Sequence, residues 1–142
     1  MKLIDRVALI TGGAGGLGKA IALRMASEGA RVAILDINEE ALEATRAEIE
    51  RHGAECLALR CDVSSSAEVD VAFAQVDARF GSVHILVNNA GLVPDKAYDD
   101  KRRTRHYALM TQPIPRQSLE ITRNMDDAEW KRFWAVNVDG VF

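Results

Sequence analysis

Residues 10–22 read ITGGAGGLGKAIA, and five of the seven residues at positions 12–18 are glycine. Each glycine adds backbone freedom that folding must remove, so five together need a reason. An apolar run precedes them and a helical pattern follows. A strand that enters such a corner and leaves as a helix presents the unpaired N–H groups of the first helical turn, at the positive end of the helix dipole. That arrangement attracts an anion.

The rest of the chain constrains what can surround the corner. Residues 7–10 (VALI), 31–35 (RVAIL), 55–60 and 83–87 (VHILV) read as strands. Helical patterns lie between them. The first, residues 17–28, carries Leu17, Ile21 and Met25 on one stripe and closes at Gly29. The second covers residues 39–52, with Asn38 as N-cap and Gly53 at its end. The third opens on the capping box Ser65/Glu68 and places Val69, Ala72, Phe73, Val76 and Phe80 on one face before Gly81. Strand, helix, strand at roughly 30 residues per unit is the βαβ rhythm. It predicts an α/β protein of the Rossmann type, a doubly wound parallel sheet with helices on both faces.

Residues 92–125 break the rhythm. They hold all three prolines and seven Lys/Arg against four Asp/Glu, so the segment carries +3 and the rest of the chain −6. This reads as an inserted basic segment: a solvated surface insertion or, with Lys101, Arg102, Arg103 and Arg105 clustered, a substrate-side patch. A last helix follows, with Asp126 as N-cap, Glu129 as its box partner and an apolar stripe of Trp130, Phe133, Trp134, Val138 and Val141. Asn137 falls on that stripe, where an amide needs hydrogen-bond partners.

At 142 residues the chain is one domain or part of one, with 48% hydrophobic residues and a net charge of −3. The negative balance argues against a general nucleic-acid binder. No apolar run approaches the ~20 residues of a membrane span, so no membrane partner is expected and a reducing cytoplasm is the expected compartment. Cys56 and Cys61 are separated by an odd number and would point to opposite faces of a strand, which disfavours a disulfide. His52, His84 and His106 are scattered, and no metal site is expected.

The glycines fit two patterns at once. Gly13, Gly15 and Gly18 satisfy G-x-G-x-x-G, and Thr11, Gly12, Gly16 and Gly18 satisfy T-G-x-x-x-G-x-G. Asp36 follows at the end of the second strand. A carboxylate there can accept from an adenosine ribose and repels a 2′-phosphate, and no Lys or Arg lies inside the glycine loop. Both features favour NAD over NADP. Asp62-Val63 ends the third strand and Asn88-Asn89-Ala90-Gly91 ends the fourth, so successive strand ends carry groups suited to one extended ligand.

Thr11, the glycine corner, Asp36, Asp62-Val63, Asn88-Asn89-Ala90-Gly91 and Asn137-Val138 occur in an order that resembles the short-chain dehydrogenases/reductases. The resemblance runs from about Leu3 to the last residue, apart from the insertion. It implies that Gly12, Gly16, Leu17 and Gly18 surround a pyrophosphate, that Asp36 and Ile37 hold the adenosine ribose, and that Asp62 and Val63 flank the adenine. It implies that Asn89, Ala90 and Gly91 support the nicotinamide-side ribose, and that Asn137 is a catalytic residue that helps hold a water in a proton relay. It further implies an alcohol/ketone substrate of small-molecule type and a homo-oligomer, dimer or tetramer. The basic cluster tilts the substrate toward a 3-oxoacyl thioester on a phosphate-bearing carrier. His84 stands where the family often has an acid.

The same mechanism calls for a Ser and a Tyr-x-x-x-Lys after the asparagine, and the chain holds neither there. Tyr98 and Lys101 are one residue too close and precede Asn137, so they are rejected as that pair. The fourth strand, apolar on both faces, would also lie at a sheet edge. The expectation is therefore a sheet truncated after its fourth strand and following helix, the N-terminal NAD-binding portion of a longer chain, inactive by itself. The alternatives are a non-catalytic NAD-sensing module and a flavoprotein half-domain. The second is disfavoured by the NNAG run and by Asn137.

Overall fold

Alternation along the first two strands organises the molecule. In the computed structural model, which describes residues 1–92, 103–104, 107–108, 110–111 and 125–142, four strands form one parallel sheet. They are β1 (Val7–Thr11), β2 (Arg31–Asp36), β3 (Cys56–Arg60) and β4 (Ile85–Val87), in the order β3-β2-β1-β4. The central pair is buried on both faces. On one face Ala8, Ile10, Val32 and Ile34 pack with Ala22 and Ala26 of α1 (Gly16–Ser27) and with Leu42 and Ile49 of α2 (Glu39–Arg51). On the other face Val7, Leu9, Ala33 and Leu35 pack with Ala72, Val76 and Phe80 of α3 (Ser66–Phe80). Helices on both faces of a parallel sheet make the doubly wound architecture that the sequence implied. Cys56 joins the first layer and Cys61 the second, so the two thiols are separated by the sheet. Burial pushes the Cys56 thiol up to about 12 and the Cys61 thiol up as well.

Capping matches the sequence closely. Asn38 Oδ1 accepts from Ala41 N at 3.1 Å, and Gly81 closes α3 in the left-handed region at φ 84°. Two stripes are corrected. On α1 the fully buried face is Gly18, Ala22 and Ala26; Ile21 and Met25 of the expected stripe pack against the same core from its edge, and only Leu17 leaves it, 70% exposed. Gly18 is required there because a Cβ on it would overlap the Gly12 carbonyl. In α3, Phe73 lies on the rim rather than in the core. The fourth strand is also two residues shorter than expected. Val7 N donates to His84 Nδ1 at 3.1 Å, so a side chain replaces a ladder acceptor where β4 would have begun.

A final helix, α4 (Asp127–Asn137), and a short 3-10 turn (Asp139–Val141) end the chain. Asp126 caps α4 by accepting from Glu129 N at 2.7 Å. No residue of α4 is buried, and the Trp130 and Trp134 rings meet at a tilt with centroids 5.5 Å apart, each residue about half exposed. No helix among the described residues is long and apolar enough to cross a membrane.

Candidate functional site

The C-terminal ends of β1, β2, β3 and β4 converge with the start of α1. At the corner, Gly12 and Gly16 adopt φ of 64° and 52°, values that a side chain tolerates poorly. A methyl group at Gly12 would stand 2.9 Å from Ala90 Cα, and one at Gly18 would overlap the Gly12 carbonyl and lie 2.6 Å from Asn89 Nδ2. Gly15 is different: its backbone is extended at φ −157°, and a methyl group there would meet nothing within 4 Å. Gly12, Gly16 and Gly18 are each fixed by geometry, and so is Gly13, where a methyl group would stand 2.7 Å from Ile34 Cβ; Gly15 alone of the five combines an ordinary φ with open space. Among the described residues no side chain caps the leading N–H groups of α1, and no acid lies in its first turn.

A clasp joins β1 to β4 at this point. Thr11 Oγ1 accepts from Asn89 N and from Ala90 N, both at 3.0 Å, and donates to Val87 O at 3.4 Å. Asn89 Nδ2 returns two bonds, to Thr11 O at 3.0 Å and Gly12 O at 3.2 Å. Asn89 is thus a support for the strand ends, and Ala90 and Gly91 line the adjoining cleft.

Asp36 ends β2 with each oxygen engaged once. Oδ2 accepts from Ala14 N at 3.2 Å and Oδ1 from Asn38 N at 3.1 Å. These bonds fix the carboxylate while leaving lone pairs toward the cleft that it lines with Gly12, Ile37, Asp62 and Val63. Lys19, which directly follows the glycine corner, is ion-paired with Glu48 at 2.7 Å.

At the end of β3, Asp62 Oδ1 accepts from Ser64 Oγ at 2.6 Å and from Ser64 N at 2.9 Å, and these bonds hold its carboxyl below the usual aspartate value. The expected capping box is only half formed. Ser65 Oγ accepts from Glu68 N at 3.4 Å, but Glu68 Oε2 reaches past Ser65 to accept from Asp62 N at 2.9 Å and from Arg60 Nη1 at 2.7 Å. Because folding lowers the Asp62 pKa, its stabilisation is full above the ordinary value of 3.8 and is lost as the pH falls through the lower folded value. The melting-temperature gap between wild type and Ser64→Ala should therefore be full at neutral pH and close below about 3.8; a gap that does not narrow in acid would count against the bond.

Asn137 is exposed rather than buried. Its Oδ1 accepts from Leu92 N at 2.7 Å and its Nδ2 donates to Leu92 O at 3.2 Å. This two-point bond, with Asn88 Nδ2 donating to Val141 O at 3.2 Å, ties the end of α4 to the segment leaving β4. Gly140 fits against Val63, where a Cβ would meet Val63 Cγ2 at 2.8 Å. All eleven residues expected to contact a cofactor thus gather at one end of the sheet, with Asn137 at its margin. The sequence did not single out Thr45, and it marked Glu68 only as the capping-box partner of Ser65; the bonds both side chains make are to residues that no local pattern marks. Tyr98, Lys101, Arg102 and Arg105 lie outside the described residues, as does most of the 92–125 segment. No cluster of metal-ligating residues occurs among the described residues.

A parallel doubly wound sheet with this glycine corner and these strand ends defines a nucleotide-binding fold of the short-chain oxidoreductase kind. Residues 6–142 match the family model for short chain dehydrogenases, and the chain belongs to that family. It is 43% identical over 140 residues to a sorbitol dehydrogenase of Cereibacter sphaeroides, covering 99% of this chain and 44% of that protein. Among solved structures, it is similar to an NAD+-bound xylitol dehydrogenase (TM-score 0.77, 30% identity, 100% of this chain and 46% of that one). It is also similar to a metagenomic short-chain oxidoreductase in complex with NADP (TM-score 0.75, 31% identity, 99% and 53%). The chain spans about half the length of these relatives.

Proposed function

We propose that this chain forms the dinucleotide-binding part of an oxidoreductase that interconverts a secondary alcohol and a carbonyl, with NAD preferred to NADP. The carrying observation is Asp36, fixed by two backbone N–H groups at the rim of the cleft beside the glycine corner. The corner fits the phosphates of such a cofactor: Gly12 and Gly18 leave no room for a Cβ, Gly15 opens outward, and no side chain caps α1. Gly16, Leu17 and Gly18 would hold the pyrophosphate, Asp36 and Ile37 the adenosine ribose, and Asp62 and Val63 the adenine. Asn89, Ala90 and Gly91 would support the second ribose. When bound, the nicotinamide supplies the hydride chemistry. Asn137 would position a water for proton transfer, its side chain held in place by Leu92.

The relatives named for sorbitol and xylitol favour a small polyol or secondary alcohol as substrate. The 3-oxoacyl-thioester reading rests on the basic cluster, which lies, apart from Arg103, outside the described residues.

Titration of the purified protein with NAD and with NADP tests the reading. Wild type should bind NAD more tightly. Asp36→Ala should weaken both, because the Ala14 bond is lost, and should narrow the NAD/NADP ratio about tenfold as a ribose hydrogen bond and a repulsive charge disappear together. An unchanged ratio would remove Asp36 from the ribose site. Tight binding with no alcohol oxidation in the intact protein would point instead to an NAD-sensing module.

A further inference from the structure

We propose that Thr45 is a positioning residue for the phosphate site: from inside the fold it sets the peptide plane that aims the Gly15 N–H at a bound pyrophosphate. This rests on the dinucleotide reading above and concerns how that site is built.

The core-facing stripe of α2 is Leu42, Thr45 and Ile49. A hydroxyl in the middle of it, 1% exposed, is costly unless it is hydrogen-bonded. Thr45 Oγ1 donates to Ala14 O at 2.9 Å, 31 residues away in the glycine loop. Ala14 is itself buried, and its N–H donates to Asp36 Oδ2 at 3.2 Å. Both polar groups of Ala14 are therefore tied down, the carbonyl by α2 and the amide by the end of β2.

The peptide between Ala14 and Gly15 is planar and trans, so its C=O and N–H point in opposite directions. With the carbonyl drawn inward to Thr45, the Gly15 N–H is aimed outward. Among the described residues no protein acceptor meets that N–H, and the space around Gly15 is open. Gly15 is the residue that precedes α1, so its donor joins those of the first helical turn. Without Thr45 the Ala14 carbonyl would be buried with no donor, and the peptide would turn to find one.

The test titrates wild type, Thr45→Val and Thr45→Ser with ADP-ribose and with adenosine, which lacks the phosphates. Valine keeps the volume and burial and removes the donor. Thr45→Val should bind ADP-ribose about tenfold more weakly, the size of one charge-assisted hydrogen bond, and bind adenosine as wild type does. Thr45→Ser should restore ADP-ribose binding. Equal ADP-ribose affinity in wild type and Thr45→Val would overturn the proposal. So would parallel losses for both ligands, which would assign Thr45 to fold stability alone. Should Thr45→Val fail to fold, the Gly15 amide resonance of the wild-type protein decides. It should move on addition of ADP-ribose and stay in place with adenosine, and a stationary resonance would overturn the proposal. A wild type that binds no ADP-ribose would fail the dinucleotide reading itself, whereas intact wild-type binding with an unaffected valine variant would fail only this inference.

Discussion

Replacing Gly18 with Ala should remove most of the dinucleotide affinity and lower the melting temperature by several degrees. The added methyl group would overlap the Gly12 carbonyl oxygen and press on Asn89 Nδ2 at 2.6 Å. The first neighbour is backbone, held by β1, and the second is the amide that bonds Thr11 O and Gly12 O. Neither can swing away as the tip of a flexible side chain would, so α1 must shift off the sheet or the corner must open. Overpacking of this kind costs about 1–3 kcal/mol. For a domain of this size that is about 2–4 °C per kcal/mol. Dinucleotide affinity should fall further, because the N–H groups of the first turn move with the helix. Gly15→Ala is the control, since its Cβ would meet nothing within 4 Å. Calorimetric melting of the two variants checks the claim: equal melting temperatures would mean that α1 does not approach Gly12 as closely as described.

The contrast between these two glycines marks where the sequence stops being informative. The two overlapping patterns share Gly18 and divide over Gly12 and Gly16 against Gly13 and Gly15. Composition cannot choose between them, because every position is glycine. What each glycine is for lies in backbone angles and in approach distances, to Asn89 and Ala90 for Gly12 and Gly18 and to Ile34 for Gly13, all of them residues remote in the chain; these leave Gly15 as the one unconstrained position. Helix boundaries were far more legible, because caps are local. Asn38, Ser65 and Asp126 each bond an N–H three residues ahead, a relation written in the spacing itself.

Packing faces were less legible for a physical reason. Of the α1 stripe Leu17, Ile21 and Met25, the last two pack on the edge of the core, but the fully buried face is Gly18, Ala22 and Ala26 and Leu17 is exposed. The hydrophobic stripe names the face that gains most from burial, while the short approach at Gly18 dictates which face can fit. Leu17 is left exposed beside the glycine corner. Asn137 was similarly ambiguous. Its place in the helical pattern put it among aromatics, but its partner is the backbone of Leu92, 45 residues earlier. The same holds for Glu68, whose local partner by spacing is Ser65 N and whose actual acceptor role is at Asp62 N.

Thr11→Val should produce the second large effect, concentrated on β4. The substitution keeps the shape of a residue that is 6% exposed and favours a strand as much as threonine does. What it removes is one oxygen that accepts from both Asn89 N and Ala90 N. Leaving a buried donor unmet costs about 1–3 kcal/mol, so two partly buried donors together should cost about 2–4 kcal/mol in chemical denaturation. Thr11→Ser, which keeps the oxygen, should lie near wild type. The loss should also be local before it is global. β4 has three residues and pairs with β1 alone among the described strands, so the clasp holds a large share of that junction. Amide exchange at residues 85–90 should accelerate well before exchange in β2, which is paired on both sides. Uniform acceleration across the sheet, or a valine variant as stable as the serine one, would show that the hydroxyl does not join the strands. The threonine beside the first glycine is then explained by its oxygen. At that point in the sheet only a short side chain with an acceptor can close β1 onto the end of β4 and still leave the corner clear for phosphate.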